Sequence, residues 1–269
     1  MGILNVTPDS FSDGGRFLEP RAAIEHGLAM AAAGAEIIDV GGESTRPGSP
    51  GVDEKEELRR VIPVIQELAG RLPAGVFLSI DTRKAEVARQ AVAAGAAIVN
   101  DVSGLQYDPA MIEFLRSTEA GVVVMHMRGT PATMQQFTQY HDVVTEVRDY
   151  LAERVAWLEK QGIARERVVV DPGFGFSKNL AQNLELLRRL PVLRKIGRPL
   201  LVGTSRKSMI GQVLQLPVNE RLEGTAATVV LAIAGGADIV RVHDVLPMVR
   251  VCRMTDALVR VPAEAASQG

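Results

Sequence analysis

Ala33-Gly34-Ala35-Glu36-Ile37-Ile38-Asp39, Ala94-Gly95-Ala96-Ala97-Ile98-Val99-Asn100 and Gly235-Gly236-Ala237-Asp238-Ile239-Val240-Arg241 are one unit written three times. In each, a helical stretch runs into a glycine (Gly34, Gly95, Gly236), the residue that closes a helix in the left-handed conformation at least cost. Two residues later an extended apolar run begins. Five positions after the glycine stands a polar side chain: Asp39, Asn100 or Arg241. A helix-glycine-strand unit that recurs at both ends of a chain implies alternating helices and strands throughout. The rest of the chain agrees. Short β-branched runs at 2–5, 36–40, 76–81, 97–101, 122–125, 168–171, 199–203 and 238–242 alternate with amphipathic stretches. One such stripe is Leu58, Val61, Ile62, Ile65 and Leu68, introduced by Asp53 with Glu56 three residues on as a capping box. Eight strands alternating with eight helices imply a parallel sheet covered on its outer face. The expected fold is therefore of the α/β class, a (β/α)8 TIM barrel forming one domain over 1–269. A doubly wound open sheet is the alternative, because strand order is not written in a single sequence.

Composition sets the boundaries of function. A chain of 269 residues is close to the roughly 250 typical of an eight-fold barrel. It is 46% hydrophobic and 23% charged, which is ordinary globular composition. A net charge of -2 without a Lys/Arg block disfavours nucleic acid and anionic membranes as partners, since both call for a basic face. No apolar run reaches the ~18 residues that span a bilayer. Met1-Gly2-Ile3-Leu4-Asn5 lacks the charged-then-apolar build of a signal peptide. The single cysteine, Cys252, sits in an apolar helical stretch with Val249, Val251, Met254 and Leu258. It reads as a small packed side chain rather than a nucleophile, and a reducing, cytoplasmic setting is expected.

The strands end in polar groups: Asn5, Asp39, Asp81, Asn100, Asp171, Arg241 and, just beyond the seventh, Ser205. One such residue would only cap the next helix. Seven of them, an arginine included, mark the carboxyl rim where barrel active sites lie. Arg241 and His243 are two apart and share a face, a good clamp for an anion on the last strand. Gly203-Thr204-Ser205-Arg206-Lys207-Ser208 places Ser205 and Lys207 on one side without being a phosphate-binding P-loop. Asp171-Pro172-Gly173-Phe174-Gly175-Phe176 has glycines that let a flat ligand approach the backbone, with Lys178 where a dinucleotide fingerprint would need a third glycine. Two connections, 7–15 and 44–51, exceed the usual length of about 2–6 residues and read as lids. His26, His126, His141 and His243 are scattered, so no His/Cys metal cage is expected. A hard cation shared by Asn5, Asp9 or Asp81 and the phosphate oxygens of a ligand points to Mg2+.

Together these segments resemble the dihydropteroate synthases of folate biosynthesis. Met1-Gly2-Ile3-Leu4-Asn5-Val6-Thr7-Pro8-Asp9-Ser10-Phe11-Ser12-Asp13-Gly14 looks like the first family signature, and Ile38-Asp39-Val40-Gly41-Gly42-Glu43-Ser44-Thr45-Arg46-Pro47-Gly48 like the second. Ser79-Ile80-Asp81-Thr82-Arg83, Asn100-Asp101-Val102-Ser103-Gly104, Val124-Met125-His126-Met127, the Asp171 and Ser205 segments and Arg241-Val242-His243-Asp244 follow in order. The resemblance implies a pterin-binding barrel over 1–269 that joins a dihydropterin CH2–diphosphate to p-aminobenzoate and releases diphosphate. It further implies that Asp81, Asn100, Asp171, Lys207, Met125, Phe176 and Gly203 hold the pterin, and that Asn5, Arg241, His243, Thr45 and Arg46 hold the diphosphate. Phe11, Thr45, Pro47, Ser205 and Lys207 would meet p-aminobenzoate, Asn5 and Asp9 would hold Mg2+, and Asp171, Asp81, Lys207 and Arg241 would carry the catalysis. The family is usually homodimeric and is a target of sulfonamides. Its members usually carry residues ahead of the first signature that cover the barrel floor, so the signature at residue 1 bears on stability rather than chemistry. A methyltetrahydrofolate–corrinoid methyltransferase has the same pterin cradle but no use for an Arg/His clamp or a Thr-Arg-Pro loop. A non-catalytic pterin-binding barrel would bind without turnover.

Overall fold

In the computed structural model, which describes residues 1–7, 15–44 and 51–260, helices and strands alternate, with two successive helices only between the last two strands. The strands are β1 (Gly2–Asn5), β2 (Ile37–Gly41), β3 (Phe77–Asp81), β4 (Ile98–Asp101), β5 (Gly121–Met125), β6 (Val168–Asp171), β7 (Leu201–Val202) and β8 (Ile239–Val240). The helices are α1 (Gly15–Ala32), α2 (Glu54–Arg71), α3 (Ala85–Ala93), α4 (Ala110–Arg116), α5 (Val143–Lys160), α6 (Leu180–Arg188), α7 (Ser208–Leu214), α8 (Leu222–Ala234) and α9 (Val245–Val259).

All strand pairings are parallel. β1 to β6 pair consecutively, and β7 pairs with β8. Two further parallel bridges, Val170 with Leu200 and Gly2 with Val242, join β6 to the β7 segment and the β8 segment back to β1. The ring is therefore closed in sequence order, which is the (β/α)8 barrel and excludes the open sheet. At the last seam Met1 donates its amino N–H to Val240 O (2.9 Å), and Ile3 N–H donates to Val242 O.

Strands β7 and β8 are shorter than the five-residue runs read from sequence. Pro199 has no N–H to give, so the β6 side of β7 rests on Val170 N–H donating to Pro199 O and the single bridge. A ninth helix, α7, also goes beyond the eight expected. It ends after seven residues, where Gln215 takes a φ of +57° and Pro217 follows.

The repeated glycines behave as their sequence requires. Gly34, Gly95 and Gly236 have φ of +100°, +119° and +95°, so each turns helix into strand in a conformation that costs other residues about 1–2 kcal/mol. At α2, Asp53 caps the helix by accepting from Glu56 N–H at 2.8 Å. The other half of the expected capping box does not form, because the Glu56 carboxylate pairs with Arg59 and Arg60 instead. The reciprocal box occurs at α6, between Asn179 and Gln182.

The core lies between barrel and helices. Leu4, Ile38, Val40, Leu78, Ile80, Val99, Val122, Val124, Val168 and Val170 pack outward against helical residues such as Val61, Ile65, Leu68 and Leu151. The alternate residues, including Ile3, Asp39, Ser79, Asn100 and Val123, are buried too, as expected of strands covered on both faces. A separate apolar cluster of Val102, Met125, Met127, Met134 and Phe176 sits at the carboxyl end. At the opposite end a cavity of about 270 Å3 is lined by Met1, Ile37, Val240, Val245, Met248 and Cys252 among others. No residue expected in the site lines it.

Candidate active site at the carboxyl rim

The three equivalent polar positions of the repeated unit meet. Asp39 on β2 is fully buried, and its Oδ2 accepts from Asn100 Nδ2 at 3.0 Å and from Arg241 Nε at 2.6 Å. Arg241 follows β8, and its Nη2 donates to Asp81 Oδ2 on β3 at 2.8 Å. Asp39 was legible as a strand-end polar residue but carried no assigned role. Its structural role is to tie Arg241 and Asn100 into one array. The guanidinium is thus bridged by two carboxylates instead of standing as an isolated cation beside His243. Its Nη1 makes no hydrogen bond among the described residues. Burial works against the charge on Arg241, but Asp39 and Asp81 outweigh it and hold the group more firmly protonated.

Burial pushes the Asp81 carboxyl up to about 7, with Arg241 pulling the other way and Asp39, Glu57 and Asp101 adding to the rise. Asp171, at the end of β6, is also buried and raised by that burial, while the Gly173 N–H and Lys207 oppose the rise. Asp171 Oδ1 accepts from Gly173 N–H at 2.7 Å, leaving Oδ2 open among the described residues. Lys207 reaches the same region, with its ammonium 4.3 Å from the centre of the Phe176 ring. Burial and the nearby Arg241 lower Lys207 to about 8, against Asp171 and Asp81. Gly203 lies beside Arg241, whose Cβ would be 3.8 Å from any Cβ added there. Met125 and Phe176 share one apolar cluster. The expected pterin residues therefore converge.

The loop after β6 is held from below by a group that sequence reasoning passed over. Lys178 is only 3% exposed. Its ammonium donates to Gly173 O and Phe176 O and meets His126 Nδ1, each at 3.0 Å. Burial lowers it to about 7. Burial and the Lys178 charge keep His126 neutral, its pKa down at about 2. In the sequence, Lys178 was visible only as the wrong residue for a dinucleotide fingerprint.

Ser205 does not stand free at the rim. Its hydroxyl lies 3.0 Å from His243 Nδ1 and accepts from the His243 backbone N–H at 3.1 Å. Burial, with Arg206 and Arg241 adding, lowers His243 to about 4, so the ring is neutral rather than the cation that an imidazolium clamp would need. Arg206 is held by Asp244, with Nε donating to Oδ2 at 2.9 Å. Asn5 is half-buried at the end of β1. Beneath the second signature, Glu43 pairs with Arg83 (2.6 Å) and Lys84 (2.5 Å), and Lys84 also pairs with the buried Glu57.

Asp9, Phe11, Thr45, Arg46 and Pro47 lie outside the described residues. Among the described residues no group of three or more His, Cys, Asp or Glu could hold a metal ion, and no helix is long and apolar enough to cross a membrane. Cys252 is half-buried against the core, and burial raises its thiol pKa.

A family model described as pterin binding enzyme matches residues 1–243. The dihydropteroate synthase of Synechocystis is 51% identical over 261 residues, 97% of this chain and 90% of that one. The dihydropteroate synthase of Escherichia coli is 50% identical over 257 residues, 96% and 90% of the two chains. Among solved structures, the Yersinia pestis dihydropteroate synthase with a sulfonamide drug complex superposes with a TM-score of 0.91 at 46% identity, covering 97% of this chain and 94% of that one. The Xanthomonas albilineans dihydropteroate synthase in complex with 7,8-dihydropteroate gives 0.87 at 43% identity, with coverage of 97% and 94%.

Proposed function

The chain belongs to the pterin binding enzyme family as a dihydropteroate synthase, and we propose that Asp171, Asn100, Asp81 and Lys207 grip the pterin while Arg241 and His243 receive the diphosphate. The reaction condenses (7,8-dihydropterin-6-yl)methyl diphosphate with 4-aminobenzoate to give 7,8-dihydropteroate and diphosphate. The observation that carries the division of roles is the buried array in which Arg241 bridges Asp39 and Asp81 beside Asn100, Asp171 and Lys207.

In the reaction the methylene C–O bond to diphosphate breaks, a C–N bond to the arylamine forms, and the amine proton leaves to solvent. Positive charge develops on the methylene and spreads into the ring. Asp171 and Asp81 lie in a desolvated site where a fixed negative charge stabilises that cation more than water would. Asp171 Oδ2 is available to an N–H of the pterin pyrimidine edge, and Oδ1 keeps the loop through Gly173. Arg241 Nη1 and the neutral His243 ring are donors for the departing anion. The arylamine attacks neutral, so no strong general base is required.

Asn5, with Asp9, is the proposed seat of Mg2+. The Asn5 amide oxygen is the hard donor that the ion prefers, and Mg2+ commonly takes one or two protein oxygens and completes its shell with phosphate and water. Bound there, the ion would neutralise charge on the diphosphate. Met125, Phe176 and Gly203 complete the pterin wall, and Thr45 and Arg46 extend the diphosphate contacts. Phe11, Thr45, Pro47 and Lys207 serve p-aminobenzoate, the ligand class seen in a Xanthomonas albilineans relative with 4-aminobenzoic acid. The whole chain works as one domain, in the cytoplasm and as a homodimer. The single, half-buried Cys252 supports the first setting. The apolar side chains that α8 and α9 expose, Leu231, Met254 and Leu258, support the second.

Diphosphate release measured with both substrates, and with each alone, tests this reading. Release is expected only with both, in step with dihydropteroate formation. Binding of the pterin without release would make the chain a non-catalytic barrel.

A further inference from the structure

We propose that Ser205 is a positioning residue for the leaving diphosphate, fixing His243 in the neutral tautomer protonated on Nε2, and is not a contact for p-aminobenzoate. The proposal rests on the assignment of His243 to the diphosphate. Ser205 is 4% exposed, and two atoms of His243 crowd its hydroxyl: the backbone N at 3.1 Å and ring Nδ1 at 3.0 Å. A backbone N–H can only donate, so it takes one lone pair of the hydroxyl oxygen. The hydroxyl proton then needs an acceptor, and among the described residues Nδ1 is the one at hydrogen-bonding distance. A neutral imidazole that accepts at Nδ1 carries its proton on Nε2.

The charged groups around the ring favour neutrality. Arg206, Arg241 and Lys207 act against a second proton and Asp244 acts for it. The tautomer therefore decides whether the ring helps or hinders. With Nε2–H, it offers the diphosphate a donor. With Nδ1–H, the Nε2 lone pair would face phosphate oxygens and repel them. A hydroxyl whose proton is engaged by Nδ1 has none to give a benzoate carboxylate, so the two roles read for Ser205 and His243 are mutually exclusive. The structure favours the diphosphate side.

The chain has four histidines, so 15N-labelled histidine spectra of the ligand-free protein can be assigned by comparison with His243→Asn. The wild type is expected to show His243 as Nε2–H. Ser205→Ala should lose that single tautomer, and Ser205→Thr, which keeps a hydroxyl, should restore it. Ser205→Ala should also weaken product inhibition by inorganic diphosphate, and raise KM for the pterin diphosphate, by about three- to tenfold, the size of one hydrogen bond. KM for p-aminobenzoate should stay at the wild-type value. A wild-type ring protonated on Nδ1, or a tautomer indifferent to Ser205→Ala, overturns the proposal. So does a raised KM for p-aminobenzoate with diphosphate inhibition intact. If the tautomer changes but neither Ser205→Ala nor His243→Asn alters diphosphate inhibition, the positioning role falls together with the assignment of His243. The NMR arm identifies that failure separately.

Discussion

In the proposed mechanism Asp81 and Lys207 set the pH range in which the rim can work, because burial moves their pKa values toward each other. Asp81 rises to about 7 and Lys207 falls to about 8. Below the first value Asp81 is protonated and cannot stabilise a cation. Above the second, Lys207 loses its charge beside the proposed pterin site. The quantity that reports the free enzyme is kcat/KM, which should rise through pH 7, peak between 7 and 8, and fall above 8. Lys207→Arg, whose guanidinium does not titrate in this range, should flatten the alkaline limb whatever its absolute rate. A wild-type profile flat from pH 6 to 9 would remove both groups from catalysis. Asp171→Asn tests the other carboxylate. The amide oxygen can still accept the Gly173 N–H, so folding should survive, but the negative charge is gone. We expect a loss in kcat/KM of roughly a hundredfold or more, and retention of most activity would displace Asp171 from the pterin. At this scale the sequence was informative where position alone matters. Asp39, Asn100 and Arg241 recur at one place in a repeated unit and do meet. It was silent on Lys178 and on the Ser205–His243 pairing, because those contacts join residues 52 and 38 positions apart through side-chain directions that no local pattern records.

The loop after β6 shows how an element holds a residue in place. It leaves the strand at Asp171, turns at Gly173 with φ of +69° and packs so tightly that a Cβ there would lie 2.1 Å from His126 O. That oxygen belongs to the backbone beyond β5, where His126 N–H donates to Asp171 O at 2.9 Å, so it cannot move without disturbing the barrel. Gly173→Ala should therefore destabilise the protein by about 2–5 kcal/mol, the sum of a left-handed backbone penalty and overpacking. Gly70, in the last turn of α2, has nothing within 4 Å of a built Cβ. Gly70→Ala should add about 0.5–1 kcal/mol through helix propensity. Urea midpoints of both variants against wild type measure the contrast, and equal shifts would mean that the packing around Gly173 gives way. Elements as a class were legible: the strand starts and the stripe of α2 follow hydrophobic periodicity. The two-residue ladders of β7 and β8 and the short α7 were not. They depend on where a closing barrel can still form hydrogen bonds around Pro199, a property of the ring rather than of any run of residues.

Closure of the ring brings Asp39, Asp81, Asn100, Asp171 and Arg241 to one place, and each of these comes from the same chain. With these residues supplied by one chain, association of the proposed homodimer is expected to act on stability rather than on chemistry. The outer wall offers a surface for it. Helices α8 and α9 pack on one another, and between them Leu231, Met254 and Leu258 stay 57%, 61% and 69% exposed. Large apolar side chains left this exposed on neighbouring helices are candidates for an interaction surface. A second copy of the chain would bury them on both partners through one self-complementary contact. Leu231→Glu combined with Leu258→Glu puts charges into that contact while leaving the inward faces of both helices intact. Light scattering should give a dimer mass for the wild type and a monomer mass for the double variant. Thermal stability should fall and become independent of protein concentration, because a dimer is stabilised by mass action and a monomer is not. The kcat/KM measured on the same samples should stay at the wild-type value. An unchanged mass would place the interface elsewhere, and a monomer without activity would mean that the partner contributes to the site after all.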